Sequence, residues 1–307
     1  MDRRTFFQKS LGMSALLGAA LAGKHESLFA ALSSSKSGKT VDLVALKGGE
    51  PEVMFRKGIE ALGGISAFVK RGQKVAIKPN IGWDVLPERA GNTNPKLVGE
   101  IVRQCVQAGA KQVFVFDHTC DNWQRTYQNS GIERAVKDAG GIMVPAHTEG
   151  YYQDVKIPAG KNLHDAKEHE ILLESDVFFN VPIVKNHSST RMTSAMKNLM
   201  GNVWNRGAWH SNDLHQCIAD FATYRKPALN IIDAYAIMKS NGPRGISQND
   251  VVVLKAQLLS TDIVAADSAA AKLLGSDPNE INYIRMAAEQ KTGRMDLDHM
   301  NIAKYSF

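Results

Sequence analysis

The fold is decided by a stretch that reads Lys74-Val75-Ala76-Ile77-Lys78-Pro79-Asn80. Its apolar centre is typical of a strand that is buried on both faces, and Pro79 ends the strand because proline has no backbone N–H to donate. A helical pattern follows at residues 95–108, with Asn94 as the N-cap and Pro95 at the first position. A second apolar strand is predicted at residues 112–116. This order of strand, helix and strand predicts parallel pairing.

The same alternation extends in both directions from this stretch. Strands are predicted at residues 41–46, 74–78, 112–116, 177–184, 229–232 and 251–254. Helices are predicted at residues 53–69, 95–108, 131–139, 263–274 and 280–288. Apolar strands that alternate with helices predict an α/β fold, with a mostly parallel sheet covered by helices on both faces.

Composition excludes several classes of protein. The chain has 307 residues, of which 44% are hydrophobic and 22% charged, close to the globular average. Its three cysteines form no CxxC pair. We therefore expect no disulfide scaffold, no all-cysteine zinc site and no iron–sulfur cluster of its own. No apolar run in the body of the chain is long enough for a transmembrane span.

The N-terminal residues carry the pattern of an export signal. Arg3 and Arg4 are adjacent, Phe6 follows two residues later, and a weakly apolar stretch occupies residues 11–22. This twin-arginine pattern over residues 1–22 predicts a periplasmic protein that has the twin-arginine translocase as a partner. Cleavage is expected at residue 22 or as late as residue 31, residues 23–40 form a linker, and residues 41–307 form one α/β domain. The alternative is a basic N-terminus without a targeting role.

The charge balance bears on the type of ligand. The formal net charge is +6, and removal of the signal leaves about +4. The chain has no dense cluster of Lys and Arg with interleaved aromatic residues, so we do not expect it to bind nucleic acid. A modest positive field attracts a small anionic ligand.

Polar residues follow the predicted strands, at the edge where open α/β sheets bind ligands. Together with Lys197 they are expected to line one crevice: Lys78, Asn80, Asp84, Asp117, His118, Lys185, His187 and Asp233. Acidic and imidazole groups that converge there would form a metal site, and its candidate ligands are Asp84, Asp117, His118, His187 and Asp233. The alternative for the acidic residues is helix capping, as expected for Asp262.

Residues 185–197 combine cationic and hydroxyl side chains. A helix that begins within residues 193–201, capped by Thr190 or Thr193, would present free N–H groups to an anion. The predicted anion-binding residues are Lys78, Asn80, Lys185, Ser189, Thr190, Arg191 and Thr193. The alternative is a solvated loop with an ordinary cap.

Three residues are candidates for catalysis. Lys197 lies among apolar residues, and burial would lower its pKa, which suits a covalent or general-base lysine. Otherwise it extends to solvent. His187 and His118 titrate near neutrality and suit acid–base catalysis. Cys120 falls in the predicted crevice, whereas the sequence favours solvent exposure for His164 and His169.

Several segments together resemble one family, the domain-of-unknown-function family 362. They are Lys78-Pro79-Asn80; Val181-Pro182-Ile183-Val184-Lys185-Asn186-His187; Thr193-Ser194-Ala195-Met196-Lys197-Asn198-Leu199-Met200-Gly201; Gly242-Pro243; and Asp262-Ile263-Val264-Ala265-Ala266-Asp267. The resemblance extends from about residue 42 to residue 290. Some relatives carry ferredoxin-type cysteine clusters, which this chain lacks.

A second resemblance is to the cofactor-binding region of nickel-pincer lactate racemases. In both, a strand is followed by a histidine, then hydroxyl residues, and a lysine ten positions after the histidine. The resemblance implies that Lys197 anchors such a cofactor and that His187 and His118 bind nickel or move protons. This chain has Ser194-Ala195-Met196 where that region has a double glycine before the lysine.

These observations predict an exported enzyme that acts on a small carboxylate or phosphate with Lys/His chemistry, with a divalent metal or a nickel-pincer-like cofactor loaded before export. Two alternatives stay open at this point. One is a non-catalytic accessory protein that binds an anion or a metal, and the other is a partner of an iron–sulfur redox system.

Overall fold

The computed structural model describes residues 40–307 and has a large mixed sheet at its centre. The strands are β1 (Leu43–Lys47), β2 (Lys74–Pro79), β3 (Gln112–Val115), β4 (Ile142–Met143), β5 (Tyr152–Lys156), β6 (Asp165–His169), β7 (Val177–Val181), β8 (Ile183–His187), β9 (Arg191–Thr193), β10 (Leu229–Met238), β11 (Val251–Ser260) and β12 (Ile302–Ser306). The α-helices are α1 (Pro51–Ala61), α2 (Pro95–Gln107), α3 (Trp123–Asn129), α4 (Ile132–Asp138), α5 (Glu170–Glu174), α6 (Ala195–Asn198), α7 (Leu214–Tyr224), α8 (Ile263–Leu273) and α9 (Asn282–Glu289). Short 3₁₀ helices include Leu199–Asn202 and Arg206–Ser211.

The sheet has the strand order β12-β1-β11-β10-β7-β2-β3-β4, and β8 continues beside β10 with β9 at its side. Strands β2, β3, β4, β7, β8 and β10 run parallel to their neighbours within this group. Strand β11 is antiparallel to both β1 and β10, and β9 is antiparallel to β8. The prediction of a mostly parallel sheet is therefore confirmed. Strands β5 and β6 form a separate hairpin.

Helices cover both faces of the sheet, as the alternating pattern predicts. On one face, α1, α2 and α4 pack their apolar residues into a core that contains Phe55, Ile101 and Val136. On the other face, α7, α8 and α9 pack into a second core that contains Phe221 and Ile284. Each face removes apolar side chains from water, which is the main favourable contribution to folding.

Two predicted elements are shorter than the sequence pattern indicates, because glycine or proline residues interrupt them. The helix predicted at residues 53–69 ends at Ala61, because Gly63 and Gly64 adopt positive φ angles that stop it. The strand predicted at residues 177–184 is two strands, β7 and β8, that meet at Pro182. Strand β7 pairs with β2 and β10, whereas β8 pairs with β10 and β9. The break takes Lys185 and His187 away from β2 along the edge of β10.

The predicted signal and most of the predicted linker lie outside the described residues. Within residues 40–307, no helix combines the length and the apolar character needed to cross a membrane.

Candidate functional site: a lysine-lined cavity

A cavity of about 480 Å³ lies beyond the carboxyl ends of the parallel strands. Lys78 comes from β2, Asp117 and His118 follow β3, Lys185 and His187 belong to β8, and Lys197 comes from α6. The lining residues are Lys78, Asn80, Gly82, Trp83, Asp117, His118, Cys120, Lys185, His187, Ser188, Thr193, Lys197, Met200, Gly201, Trp204, Arg206, Gly207, His210 and Pro243. The volume suits a small molecule.

Most of the predicted crevice residues meet at this cavity. They are Lys78, Asn80, Asp117, His118, Lys185, His187, Thr193 and Lys197. They lie far apart in sequence, and they meet because parallel strands end at the same edge of a sheet. Asp84, Ser189, Thr190, Arg191 and Asp233 are not among the lining residues.

Asp84 and Asp233 make structural contacts instead. Asp84 forms an ion pair with Arg125 at 2.6 Å and accepts a hydrogen bond from Asn129 Nδ2. Asp233 is buried, and its carboxylate accepts hydrogen bonds from the backbone N–H groups of Asn94 and Tyr235. Burial raises the pKa of Asp233 to about 6. Neither carboxylate is among the residues that line the cavity.

The hydroxyl and arginine residues of the β8–β9 turn also lie elsewhere. Arg191 is exposed and forms an ion pair with Glu280. The Thr190 hydroxyl is buried and donates to the backbone carbonyl of Met192. Ser189 is exposed, and its backbone N–H donates to His187 Nδ1 at 3.1 Å. Of the hydroxyl groups predicted to bind an anion, only Thr193 lines the cavity in the described structure.

The helix N-terminus predicted to bind an anion is already occupied. Helix α6 has four residues, and the backbone N–H groups of Ala195 and Met196 donate to the two carboxylate oxygens of Asp267. These N–H groups are therefore satisfied within the protein. The sequence pattern could not show this, because Asp267 comes from α8, about 70 residues further along the chain.

The predicted metal ligands do not form a ligand set. Across residues 40–307, no group of three or more His, Cys, Asp and Glu side chains lies close enough together to hold a metal ion. Asp117 and His118 line the cavity, but the Asp117 carboxylate is engaged by Lys78 Nζ and by the backbone N–H of Ile81. We therefore assign no step to a metal.

The three cavity lysines differ in their partners. Lys78 Nζ forms an ion pair with Asp117 Oδ1 at 3.0 Å and donates to Asn198 Oδ1 at 2.6 Å. Lys185 Nζ donates to Asn80 Oδ1 at 2.9 Å and to the carbonyl of Gly91 at 2.6 Å.

Lys197 Nζ has one hydrogen-bond partner among the described residues, Met200 Sδ at 3.4 Å. Thioether sulfur is a weak acceptor. The three lysines therefore range from ion-paired to almost unpartnered.

Burial lowers the pKa of all three lysines. Lys78 and Lys185 are each only 1% exposed. Desolvation is the main cause in each case, and it lowers the pKa of Lys78 and of Lys197 to about 8 and that of Lys185 to about 7. The pKa of Lys197 is lowered further by Arg206, whose positive charge disfavours a second one nearby. The cavity thus holds amines that are protonated only in part near neutral pH.

The two predicted catalytic histidines present opposite ring nitrogens. His118 Nδ1 lies 3.0 Å from the carbonyl oxygen of Val203, which can only accept, so Nδ1 carries the proton and Nε2 has the lone pair. His187 Nδ1 accepts from the backbone N–H of Ser189, so its proton is on Nε2. Burial and nearby cations lower the pKa of His118, and burial lowers that of His187 to about 3. Both rings are neutral at pH 7.

Sequence reasoning missed several residues of this wall. Arg206 donates to the backbone carbonyls of His118 and Thr119 and adds a fourth cation. Trp204 stacks on His118, with ring centroids 5.0 Å apart. Both belong to the segment from Trp204 to Trp209.

A glycine is required at position 201. A Cβ atom there would lie 1.9 Å from Asp117 Oδ1 and 2.6 Å from Lys78 Nζ. The ion pair between Lys78 and Asp117 therefore packs directly against the backbone of Gly201. The motif Lys197-Asn198-Leu199-Met200-Gly201 is the sequence signal for this close approach.

Other side chains divide between the cavity and the core. Cys120 is exposed and lines the cavity, as predicted. His164 is exposed, but the prediction of exposure is wrong for His169, which is fully buried. Its Nε2 contacts the carbonyl of Pro145, and its ring is buried because Phe116, Tyr151 and Tyr152 pack against it. Asp262 caps α8, as expected.

Comparisons with known proteins agree with the predicted family resemblance. The family model described as "Domain of unknown function (DUF362)" matches residues 75–272. The thylakoid-associated protein sll1697 of Synechocystis sp. (strain ATCC 27184 / PCC 6803 / Kazusa) is 28% identical over 243 residues, which cover 76% of this chain and 73% of that protein. A solved structure of the lactate racemase apoprotein from Thermoanaerobacterium thermosaccharolyticum aligns with a TM-score of 0.44 and 12% identity over 71% of this chain. This chain spans 54% of the racemase chain.

Proposed function

The chain belongs to the DUF362 family, and we propose that its cavity binds a small carboxylate or phosphate, that His118 removes a proton from this substrate and that His187 donates a hydrogen bond to it. One observation carries the proposal. The described residues that line the cavity include four cationic side chains, Lys78, Lys185, Lys197 and Arg206, and a single carboxylate, that of Asp117. The cationic side chains of the wall therefore outnumber the carboxylates that could neutralise them.

A bound anion would supply the negative charge and the hydrogen-bond acceptors that these cationic side chains lack. Burying charged or polar groups without full partners costs free energy, and an anionic ligand would return hydrogen bonds and opposite charge to the lysines. Lys197 has the fewest partners, so it gains most from a bound anion. The buried Thr193 hydroxyl lines the same cavity and has no hydrogen-bond partner within the described part of the chain. It can donate to the same ligand.

The two histidines supply the acid–base and hydrogen-bonding groups of this site. His118 offers an unprotonated Nε2, which suits a general base, and His187 offers an Nε2–H, which suits a hydrogen bond to an oxygen of the substrate. The two roles need opposite protonation at Nε2, and the contacts to Val203 and Ser189 set that difference before a ligand arrives. We therefore assign proton abstraction to His118 and hydrogen-bond donation to the substrate to His187.

The first experiment measures binding and proton transfer together. The purified protein is titrated by calorimetry with phosphate and malonate, and a panel of small carboxylates and phosphates is incubated with it in D₂O and followed by NMR. We expect anion binding and incorporation of deuterium at a carbon-bound position of one class of substrate. Failure to bind any of these anions would refute the proposal.

Matched variants separate an enzyme from an accessory protein. The substitutions His118→Asn and His187→Asn keep a polar atom where Nδ1 lies but remove Nε2, so deuterium incorporation should be lost while thermal unfolding is little changed. His164→Asn alters an exposed histidine outside the cavity and should leave both unchanged. Binding without exchange on any substrate would favour the non-catalytic accessory protein.

Export is the second part of the proposal. Residues 1–22 support the twin-arginine route to the periplasm through Arg3 and Arg4. Replacing both arginines by lysine in the full chain should retain the protein in the cytoplasmic fraction of its host, and immunoblots of the cell fractions would show this. Unchanged periplasmic recovery of the variant would contradict the proposed route.

A further inference from the structure

One of the three cavity lysines is placed to react rather than only to attract charge. Lys78 is held by Asp117 and Asn198, and Lys185 is held by Asn80 and the carbonyl of Gly91. Each of these amines donates to two oxygen acceptors, which hold it in place. Lys197 Nζ, by contrast, has no oxygen acceptor within residues 40–307, and its sole hydrogen-bond partner is the sulfur of Met200.

The surroundings of Lys197 favour the neutral amine. Lys197 is partly buried at the cavity wall, on a helix whose neighbouring residues Met196 and Leu199 are buried. The positive charges of Arg206 and Lys78 oppose a further charge on it, and with its pKa of about 8 the neutral amine makes up roughly a tenth of the population at pH 7, far more than for an ordinary lysine. A desolvated lysine beside other cations is the arrangement that turns an amine into a nucleophile.

The residues of the cavity wall also indicate which type of electrophile Lys197 would attack. A neutral amine reacts readily with a carbonyl carbon, and the neighbouring cations favour a compound that also carries an anionic group. We propose that Lys197 forms a reversible imine with the carbonyl carbon of a small oxo compound whose carboxylate or phosphate is held by Lys185 and Arg206. The inference rests on the proposed anion-binding function and adds to it a substrate class and a covalent step.

The step balances without a further reactant. The Nζ lone pair attacks the carbonyl carbon, and the carbon–oxygen π electrons move to oxygen to give a carbinolamine. A C=N bond then forms as the carbon–oxygen bond breaks, and the oxygen leaves as water with the two amine protons. The unpartnered Thr193 hydroxyl and the Nε2–H of His187 line the cavity as donors for the departing oxygen.

The test traps the imine by reduction. The protein is incubated with sodium cyanoborohydride and either pyruvate, which carries a carboxylate, or glycolaldehyde phosphate, which carries a phosphate. Intact-mass and peptide mass spectrometry then locate the secondary amine. We expect one adduct at Lys197, with the better-labelled compound identifying the anionic group, and we expect malonate or phosphate to reduce labelling at least fivefold.

Lys197→Arg keeps a positive charge but removes the nucleophile, and it should abolish this adduct. Labelling that is unchanged in this variant, or that maps only to other lysines such as the exposed Lys156, would overturn the inference. Binding of malonate or phosphate by the wild-type protein without any adduct at Lys197 would overturn the imine and leave the proposed function standing. Failure of both binding and labelling would refute the two together.

Discussion

Two regions of this protein contain buried ionisable side chains, and they differ in how many hydrogen-bond partners these side chains have. Behind the cavity, the carboxylates of Asp233 and Asp267 are buried, and each accepts hydrogen bonds from two backbone N–H groups. At the cavity wall, Lys197 has a single weak partner. A buried charge with satisfied hydrogen bonds serves the fold, whereas one left short of partners at an open cavity is available to a ligand.

The largest effect is expected at Gly201, against which the ion pair between Lys78 and Asp117 packs. Gly201→Ala would place a methyl group 1.9 Å from Asp117 Oδ1. The Lys78–Asp117 ion pair would have to move, and we expect a loss of about 3 kcal/mol or more in the free energy of unfolding. Denaturant titration measures this loss. The matched control is Gly207→Ala, because Gly207 also lines the cavity but a Cβ there meets nothing within 4 Å. Equal stability of the two variants would contradict the packing described for Gly201.

The next largest effect is expected at Asp267, a buried carboxylate that accepts backbone hydrogen bonds. Asp267→Asn places an amide N–H₂ against the backbone N–H groups of Ala195 and Met196, so at least one donor loses its acceptor. We expect a loss of about 1–3 kcal/mol in the free energy of unfolding. Because α6 carries Lys197, affinity for sulfate should fall as well. Asp298→Asn, at an exposed position, is the control. Wild-type stability of Asp267→Asn would show that Asp267 does not hold α6.

Lys197→Met should weaken anion binding without lowering the stability of the fold, unlike Asp267→Asn. The substitution removes a desolvated amine that has no oxygen partner, so the free energy of unfolding should stay the same or rise by about 0.5–1 kcal/mol. Affinity for sulfate should fall roughly tenfold, as expected for the loss of about 1.4 kcal/mol. Thermal unfolding and calorimetric titration measure the two quantities. A clear loss of stability would mean that Lys197 is structural.

Anion binding should weaken as the pH rises. The pKa values of Lys185, about 7, and Lys197, about 8, are raised when an anion binds, so binding takes up protons. Below pH 7 both amines are already charged and affinity is greatest. Between pH 7 and 9 affinity for sulfate, whose own charge is constant there, should fall by up to about tenfold per pH unit for each amine that must gain a proton.

The stability of the ligand-free protein should follow the opposite trend. In the unfolded chain these lysines have their ordinary pKa, near 10.4. Above pH 7 the unfolded state therefore binds more protons than the folded state, and the free energy of unfolding should rise with pH up to about 9. Sulfate affinity that is constant or increasing with pH would contradict the assignment of these amines to the site.

The smallest effect is expected at Arg191. Its ion pair with Glu280 is exposed on both sides, and such pairs contribute about 0–1 kcal/mol. Arg191→Ala should leave sulfate affinity unchanged and change the free energy of unfolding by no more than about 0.5 kcal/mol. Arg206→Ala, in the cavity wall, should weaken sulfate binding severalfold. A loss of sulfate binding in Arg191→Ala would mean that the β8–β9 turn contributes to the anion site.

The sequence predicted most of the cavity wall because strand ends can be recognised. Lys78, His118 and Lys185 each lie at or just after an apolar run, and parallel strands bring such positions to one edge. The same reasoning placed Asp233 and Arg191 at this edge, but neither is among the residues that line the cavity. Asp233 lies within the long strand β10, and its carboxylate turns to backbone N–H groups from Asn94 and Tyr235, which no local pattern reveals.

By itself the sequence determined the α/β class, the sheet edge that carries the ligand cavity, and the amines and imidazoles gathered there, since apolar periodicity and chain breaks at proline and glycine are local properties. Only the tertiary structure decided which charges are satisfied. Asp267 caps α6 from a distant helix, Asp117 pairs with Lys78 across Gly201, and Lys197 is left almost without partners. Hydrogen-bond satisfaction depends on atoms within about 3 Å of each other, whatever their separation along the chain.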